Sequence, residues 1–158
     1  MQFFDVDANY ASFLRNVEGK VPYFGYSSHE KFLCGIVLKV GGHDYYAPVS
    51  HNQKLYPTSF AIRNPSNTNV ILGTIRFNYM FPVPSQYVFP KNYKMIQATD
   101  IKYYNLLVNE LTYCQSHDAE IYAHAAKVYR WGTNPQSWHF QHCCDFKKLE
   151  SIYLDYGK

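Results

Sequence analysis

The spacing of apolar positions divides the chain into a β-rich front and a helical back. "FFDV" at Phe3–Val6 reads as a short strand. Asp7 is placed to cap a helix whose apolar face is Tyr10, Phe13, Leu14 and Val17, at i, i+3, i+4 and i+7. Gly19, Pro22 and Gly25 mark "GKVPYFGYSSHE" as loop. "KFLCGIVLKV" and "HDYYAPVS" flank Gly41-Gly42, which predicts a hairpin because both glycines tolerate the positive φ of a tight turn. "IRNPSNTN" reads as a polar loop and "VILGTIRF" as a strand. Pro82 and Pro84 end that strand, since proline donates no ladder hydrogen bond. A mixed, Tyr-rich loop is expected to about Thr99.

From Asp100 the period becomes helical. Tyr104, Leu107, Val108, Leu111 and Cys114 share one face, and Ile121, Ala125 and Val128 mark a second helix stopped by Gly132 and Pro135. Asp145 caps a third, with Phe146, Leu149, Ile152 and Tyr156 inward. No repeat, low-complexity tract or linker interrupts the chain. The expectation is one α+β domain over residues 1–158: a small, strongly bent antiparallel sheet with packed helices and a helical C-terminal third.

Composition adds three constraints. Apolar residues at 47% and charged residues at 17% exclude global disorder. No signal-peptide pattern or membrane-length apolar run occurs, so a soluble, unsecreted protein is expected, with Cys34, Cys114, Cys143 and Cys144 as reduced thiols in a cytosol. The net charge of +3 conceals an uneven distribution: residues 19–99 carry eight Lys and Arg against Glu30 and Asp44 alone. Such a segment favours a polyanionic partner. Sixteen Tyr supply rings with polar tips for a recognition surface as well as for a core.

Two carboxylates in the basic segment are too few for the acidic cluster of a magnesium-dependent nuclease. No P-loop, Rossmann fingerprint or G-x-S-x-G is present, so no cofactor is expected. "HFQHCC" at His139–Cys144 matches no closed tetrahedral zinc spacing, and no second ligand pair stands elsewhere. His43 is expected in solvent beside the hairpin glycines, and His117 and His124 as satisfied polar positions on helices. What remains is metal-free RNA cleavage, in which the ribose 2′-OH attacks its neighbouring phosphate. It needs a base, donors or cations for the phosphorane charge, and an acid. "YYAPVSHNQK" at Tyr45–Lys54 places Ser50, His51 and Lys54 just after a strand. These are suitable residue types: the imidazole of His51 as a base, Lys54 to neutralise phosphate, and Ser50 to donate a hydrogen bond. On spacing alone the same stretch also reads as a capped, solvated turn.

Further segments extend the pattern: "KVPY" at Lys20–Tyr23, "KFLCGIVLKVGGHDYYAPVSHNQK" at Lys31–Lys54, "LGTIRFNYMFPVP" at Leu72–Pro84 and "CDFKKLE" at Cys144–Glu150. In this order, across nearly the whole chain, they resemble the ToxN/AbiQ family of endoribonuclease toxins from type III toxin–antitoxin systems of bacteria and phage defence. The resemblance implies a sequence-preferring endoribonuclease that cuts mRNA and its own repeat antitoxin RNA without metal, leaving 2′,3′-cyclic phosphate and 5′-OH ends. It implies a bent-sheet fold like the type II mRNA-interferase barrels. A pseudoknotted antitoxin RNA would wrap the basic face in a closed, multimeric toxin–RNA assembly. Carried over residue by residue, it nominates Ser50, His51, Lys54, Lys31 and Tyr26 for catalysis, the tyrosine displaced by one position from the family's. "HNQK" is one residue longer than the family's turn, and His51 replaces a common serine, which favours it as base over Tyr26, Lys31 or Ser50 without deciding between them. RNA contacts fall to Lys20, Tyr23, Lys39, Arg63, Arg76 and Lys94, with Tyr113 as a stacking platform. Two rival readings stay open: a module that holds structured RNA and cuts nothing, and a protein-interaction domain, against which the charge argues.

Overall fold

The computed structural model describes residues 1–25 and 31–158; Tyr26 and His29 therefore lie outside the described residues. Among the described residues, seven antiparallel strands form one sheet: β1 (Gln2–Val6), β2 (Lys31–Val40), β3 (His43–Ser50), β4 (Ser59–Asn64), β5 (Asn67–Arg76), β6 (Phe81–Pro82) and β7 (Val88–Pro90). Their order is β4-β5-β3-β2-β1-β7, with β6 added to β3. Gly41 and Gly42, at φ 56° and 79°, make the β2–β3 turn as the sequence predicts. The ladder of β2 on β3 shifts register between Gly35 and Leu38, an irregularity that bends the pair. One edge of β3 serves two partners: Val49 and Ser50 pair with β5, Tyr45 and Tyr46 with β6. A 3₁₀ turn at Phe77–Tyr79 carries the chain between them.

The α+β class holds, but the barrel does not. Among the described residues the sheet is an open path ending at β4 and β7. β7 has three residues and ends in Pro90, which leaves little ladder for closure. α3 (Ile101–Ser116) packs against β4 at the other end.

Helix caps follow the sequence closely. Asp7 accepts the Tyr10 N–H at α1 (Ala8–Val17), Asp100 that of Tyr103 at α3, and Asp145 that of Lys148 at α5 (Phe146–Ile152). α4 (Asp118–Gly132) buries Ile121, Ala125 and Val128 as predicted. The face of α3 is rotated from the expected one: Tyr103, Leu107, Glu110 and Cys114 are buried, while Val108 is exposed and Tyr104 and Leu111 are only half-buried. A carboxylate takes an inward position there, which hydropathy assigns to solvent.

Two predicted loops are structured. "IRNPSNTN" is the far end of the β4–β5 hairpin, turning at Pro65-Ser66 with Asn64 Oδ1 accepting the Ser66 N–H at 2.9 Å. Residues 67–70 are exposed, so no apolar alternation marks them. The Tyr-rich stretch before Asp100 contains β6, β7 and α2 (Tyr93–Thr99), the last capped by Asn92. β5 also ends earlier than the prolines suggest, at Arg76. His43 bonds the Tyr153 hydroxyl at 2.8 Å and is half-buried, not solvated. His117 and His124 are satisfied by the backbone carbonyls of Tyr113 and Pro57. All four cysteines are free and buried. One contiguous apolar core runs from Phe3 on β1 to Tyr153 after α5. Among the described residues no helix is long and apolar enough to cross a membrane.

Candidate active site

Lys31 opens β2 and Ser50 closes β3, and the two are direct cross-strand partners. Opposed residues of an antiparallel pair point to the same face. Both line one cavity of about 1010 Å³. Past Ser50 the chain leaves the sheet in a turn built from its own polar groups. Ser50 Oγ accepts the Asn52 N–H at 3.2 Å, and Asn52 Oδ1 accepts the Lys54 N–H at 3.0 Å. The Thr74 hydroxyl donates to the Asn52 carbonyl at 3.0 Å. Short polar side chains that bond the backbone two residues on are what hold such a turn.

His51 follows Ser50 and turns to the opposite side, towards α3. Its Nε2 lies 3.2 Å from Glu110 Oε1, and Glu110 is fully buried. Burial pushes the Glu110 carboxyl above its usual range, and the hydrogen bond and charge of His51 pull it back. The second oxygen, Oε2, is buried without a partner among the described residues. Gly73 on β5 makes room for the pair: a Cβ there would stand 2.9 Å from Glu110 Oε2 and 2.9 Å from the Ser50 carbonyl oxygen. Nothing in the sequence flags Glu110, because a single carboxylate on an amphipathic helix reads as solvent-facing.

The cavity wall carries Arg15, Lys20, Lys31 and Arg76 and, among the described residues, no Asp or Glu. Lys20 lies 4.0 Å from Glu18. Tyr23 lines the wall with Arg15 6.0 Å from its ring centroid. Tyr56, which the sequence reading passes over, lies within cation–π reach of two cations: Lys54 Nζ at 5.3 Å and the Arg76 guanidinium at 5.2 Å. Lys54 does not itself line the cavity, and meets it through Tyr56.

Four expected RNA contacts lie elsewhere. Lys39 pairs with Asp44 at 3.4 Å beside the hairpin turn. Arg63 donates to the Thr68 carbonyl at 3.0 Å on the β4–β5 hairpin. Lys94 is exposed on α2, and Tyr113 on α3 stacks on His117 with centroids 4.0 Å apart. The basic segment also spends Lys91 internally, with its ammonium 2.8 Å from Asp5 and only 7% exposed.

The stretch around "HFQHCC", which lacks a zinc spacing, is cavity wall. Trp138, His139, Gln141 and His142 line it, with Trp138 72% exposed. Burial raises the Cys143 thiol to about 11 and pushes that of Cys144 well above its ordinary value, so neither is a ready thiolate. Among the described residues no three His, Cys, Asp or Glu are grouped to hold a metal ion.

Comparison with known proteins agrees with this architecture. Endoribonuclease ToxN of Bacillus thuringiensis subsp. kurstaki is 26% identical over 162 residues, covering 98% of this chain and 84% of the relative. Endoribonuclease AbiQ of Lactococcus lactis subsp. lactis is 27% identical over 170 residues, covering 100% and 90%. A solved structure described as showing selective toxin inhibition by a non-coding RNA pseudoknot, in bacterial type III toxin–antitoxin systems, superposes with a TM-score of 0.88 at 25% identity, over 99% of this chain and 98% of that one. The profile described as "Toxin ToxN, type III toxin-antitoxin system" matches residues 2–154, and with that match the chain belongs to the ToxN toxin family.

Proposed function

We propose that this chain acts as a single endoribonuclease unit, cutting mRNA and its own antitoxin precursor and inhibited by a structured, pseudoknotted RNA in a multimeric assembly. The observation that carries the reading is the cavity shared by Lys31 and Ser50, with four cations on its wall and no carboxylate among the described residues. Such a lining attracts a phosphodiester and repels nothing on it.

The chemistry that suits this lining takes its nucleophile from the substrate. The ribose 2′-OH attacks the adjacent phosphorus, the P–O5′ bond breaks, and the products are a 2′,3′-cyclic phosphate and a 5′-OH. The 2′ proton leaves with a base, and another proton reaches the departing 5′ oxygen. Lys31 and Arg76 neutralise the phosphorane, and Ser50 donates a hydrogen bond to it. Lys54, which meets the cavity only through Tyr56, takes a phosphate of RNA that runs beyond it. His51 faces Glu110 behind the turn, so its part is to hold Ser50 in place. No divalent ion is required in this scheme, because fixed cations cover the charge a metal would otherwise cover.

The test is cleavage of cellular RNA by purified protein in excess chelator, with the ends sequenced and their phosphates mapped. Cutting should persist and leave cyclic phosphate and 5′-OH ends. Lys31→Ala and Ser50→Ala should lower the rate by about 10²- to 10⁴-fold, the range for removing a proton-transfer or charge-stabilising group. Activity lost in chelator and restored by magnesium would overturn the mechanism. Tight RNA binding with no cleavage under any condition would make the chain an RNA-holding module instead.

A further inference from the structure

The cavity has a wall that the chemistry above does not use. Trp138 is the most exposed large apolar residue among the described residues, at 72%. An indole left in water is a loss that a planar ligand would recover. Its backbone setting is firm. Beside it, His139 stacks on Trp131 with centroids 4.1 Å apart, and Ser137 Oγ accepts the His139 N–H at 3.2 Å. Asn78 clamps the other end: its side-chain amide donates to the His142 carbonyl at 3.1 Å, and its own carbonyl accepts the Cys144 N–H at 2.8 Å. His142 sits edge-on to Trp138, with ring centroids 5.6 Å apart. Gln141 adds an amide with both a donor and an acceptor on the same wall.

We infer that Trp138, with His142 and Gln141 beside it, forms a subsite for an unpaired nucleobase of the RNA, next to the phosphate held at Lys31 and Ser50. The inference rests on the endoribonuclease reading of the same cavity and adds a source of its base preference. Two independent features select this ligand class. The lining, cationic and without a carboxylate among the described residues, calls for an anion, and the exposed indole calls for a flat, apolar-faced group; a single-stranded nucleotide has both. Gln141 Nε2 lies 3.5 Å from His142 Nε2, and the polar groups these two keep on the cavity wall are the ones that would discriminate among stacked bases. At about 1010 Å³ the cavity is at the upper end of the range for small-ligand pockets, so a base can occupy this wall while a phosphate occupies the other.

Trp138→Ala and Trp138→Phe test the subsite, with Met95→Ala, an exposed residue that does not line the cavity, as the control. Two readouts are needed. The first is cleavage of an RNA pool randomised around the cut. Trp138→Ala should lower kcat/KM by about 10- to 100-fold, the loss expected for one stacked base, mainly through KM. It should flatten the base preference at one or two positions beside the cut, and Trp138→Phe should restore most of both. The second is binding of a short single-stranded RNA carrying deoxyriboses that block the reaction, followed by fluorescence anisotropy. Binding should fall at least tenfold in Trp138→Ala and stay unchanged in Met95→Ala. Unchanged binding and unchanged preference in Trp138→Ala overturn the subsite even if the protein cuts RNA well. A wild-type protein that cuts nothing, yet binds the short RNA tenfold more tightly than Trp138→Ala, sinks the endoribonuclease reading and leaves the subsite standing.

Discussion

Glu110 shows what a single residue does to the legibility of a site. Ser50 and Lys31 are nominated in advance by the family resemblance, but their pairing depends on the register shift between Gly35 and Leu38: an unbroken ladder from the Gly41-Gly42 turn would set Ser50 opposite Leu33. Glu110 lies 59 positions from His51 in the chain, and only tertiary packing brings them together. The pair also sets a pH dependence. Its surroundings are His51 from the turn, with Tyr93 on α2 and Tyr103 and Cys114 on α3, each of which feels the Glu110 charge. Burial raises the folded-state carboxyl above its ordinary 4.5, so the folded protein binds this proton more tightly than the unfolded chain. The stabilisation is then complete below 4.5 and drains away as pH rises through the raised value. Glu110→Gln keeps a hydrogen bond to His51 and cannot ionise. Its melting temperature should therefore gain on the wild type as pH climbs from 4.5 into the neutral range. Parallel curves for the two proteins would show that Glu110 is not the titrating group.

At the scale of elements, the cavity is walled by segments that local rules define unequally. The caps at Asp7, Asp100 and Asp145 and the turn at Gly41-Gly42 are local signals, and each is visible in a few consecutive residues. The far end of the β4–β5 hairpin and the short strands β6 and β7 are not, since they borrow their order from neighbours. Glu18 joins two such walls. It follows α1, its Oε1 accepts the Lys20 N–H at 3.0 Å, and its Oε2 accepts the Asp145 N–H at 3.1 Å at the start of α5. One carboxylate thus ties the Lys20–Tyr23 loop to the end of the Trp138–His142 wall. Glu18→Ala releases both N–H groups. A charged hydrogen bond of this kind contributes roughly 1.5–3 kcal/mol when partly buried and less when exposed, so a loss of about 1–2 kcal/mol is expected. Amide exchange should quicken at 20–23 and 144–146, and KM for RNA should rise several-fold with little change in kcat. Faster exchange spread evenly over the chain would mean general destabilisation and not a loosened wall.

For the whole molecule, the basic segment located by counting charges is only partly the surface that matters. Lys91 and Lys39 are matched by Asp5 and Asp44, Arg63 is engaged by the Thr68 carbonyl, and Arg15, from outside the segment, joins the cavity. A count of charges therefore overestimates the cations that an RNA in the cavity would meet, because ion pairing depends on a fold that composition does not contain. The correction has a measurable size. A short single-stranded RNA confined to the cavity meets Arg15, Lys20, Lys31 and Arg76, and for single strands each neutralised phosphate contributes about −0.7 to the slope of log affinity against log salt. Four contacts give a slope of about −3. A longer, folded RNA that leaves the cavity can also reach Lys54 and Lys94, both exposed, and its slope should be steeper by about one to two units. Anisotropy titrations of both ligands across a series of salt concentrations separate these cases. Lys20→Ala should flatten the slope for both RNAs by a similar amount, whereas Lys94→Ala should flatten only that of the folded one. Equal slopes for the short and the folded RNA would confine the whole electrostatic contact to the cavity, and a slope near zero for the short one would remove phosphate from it altogether.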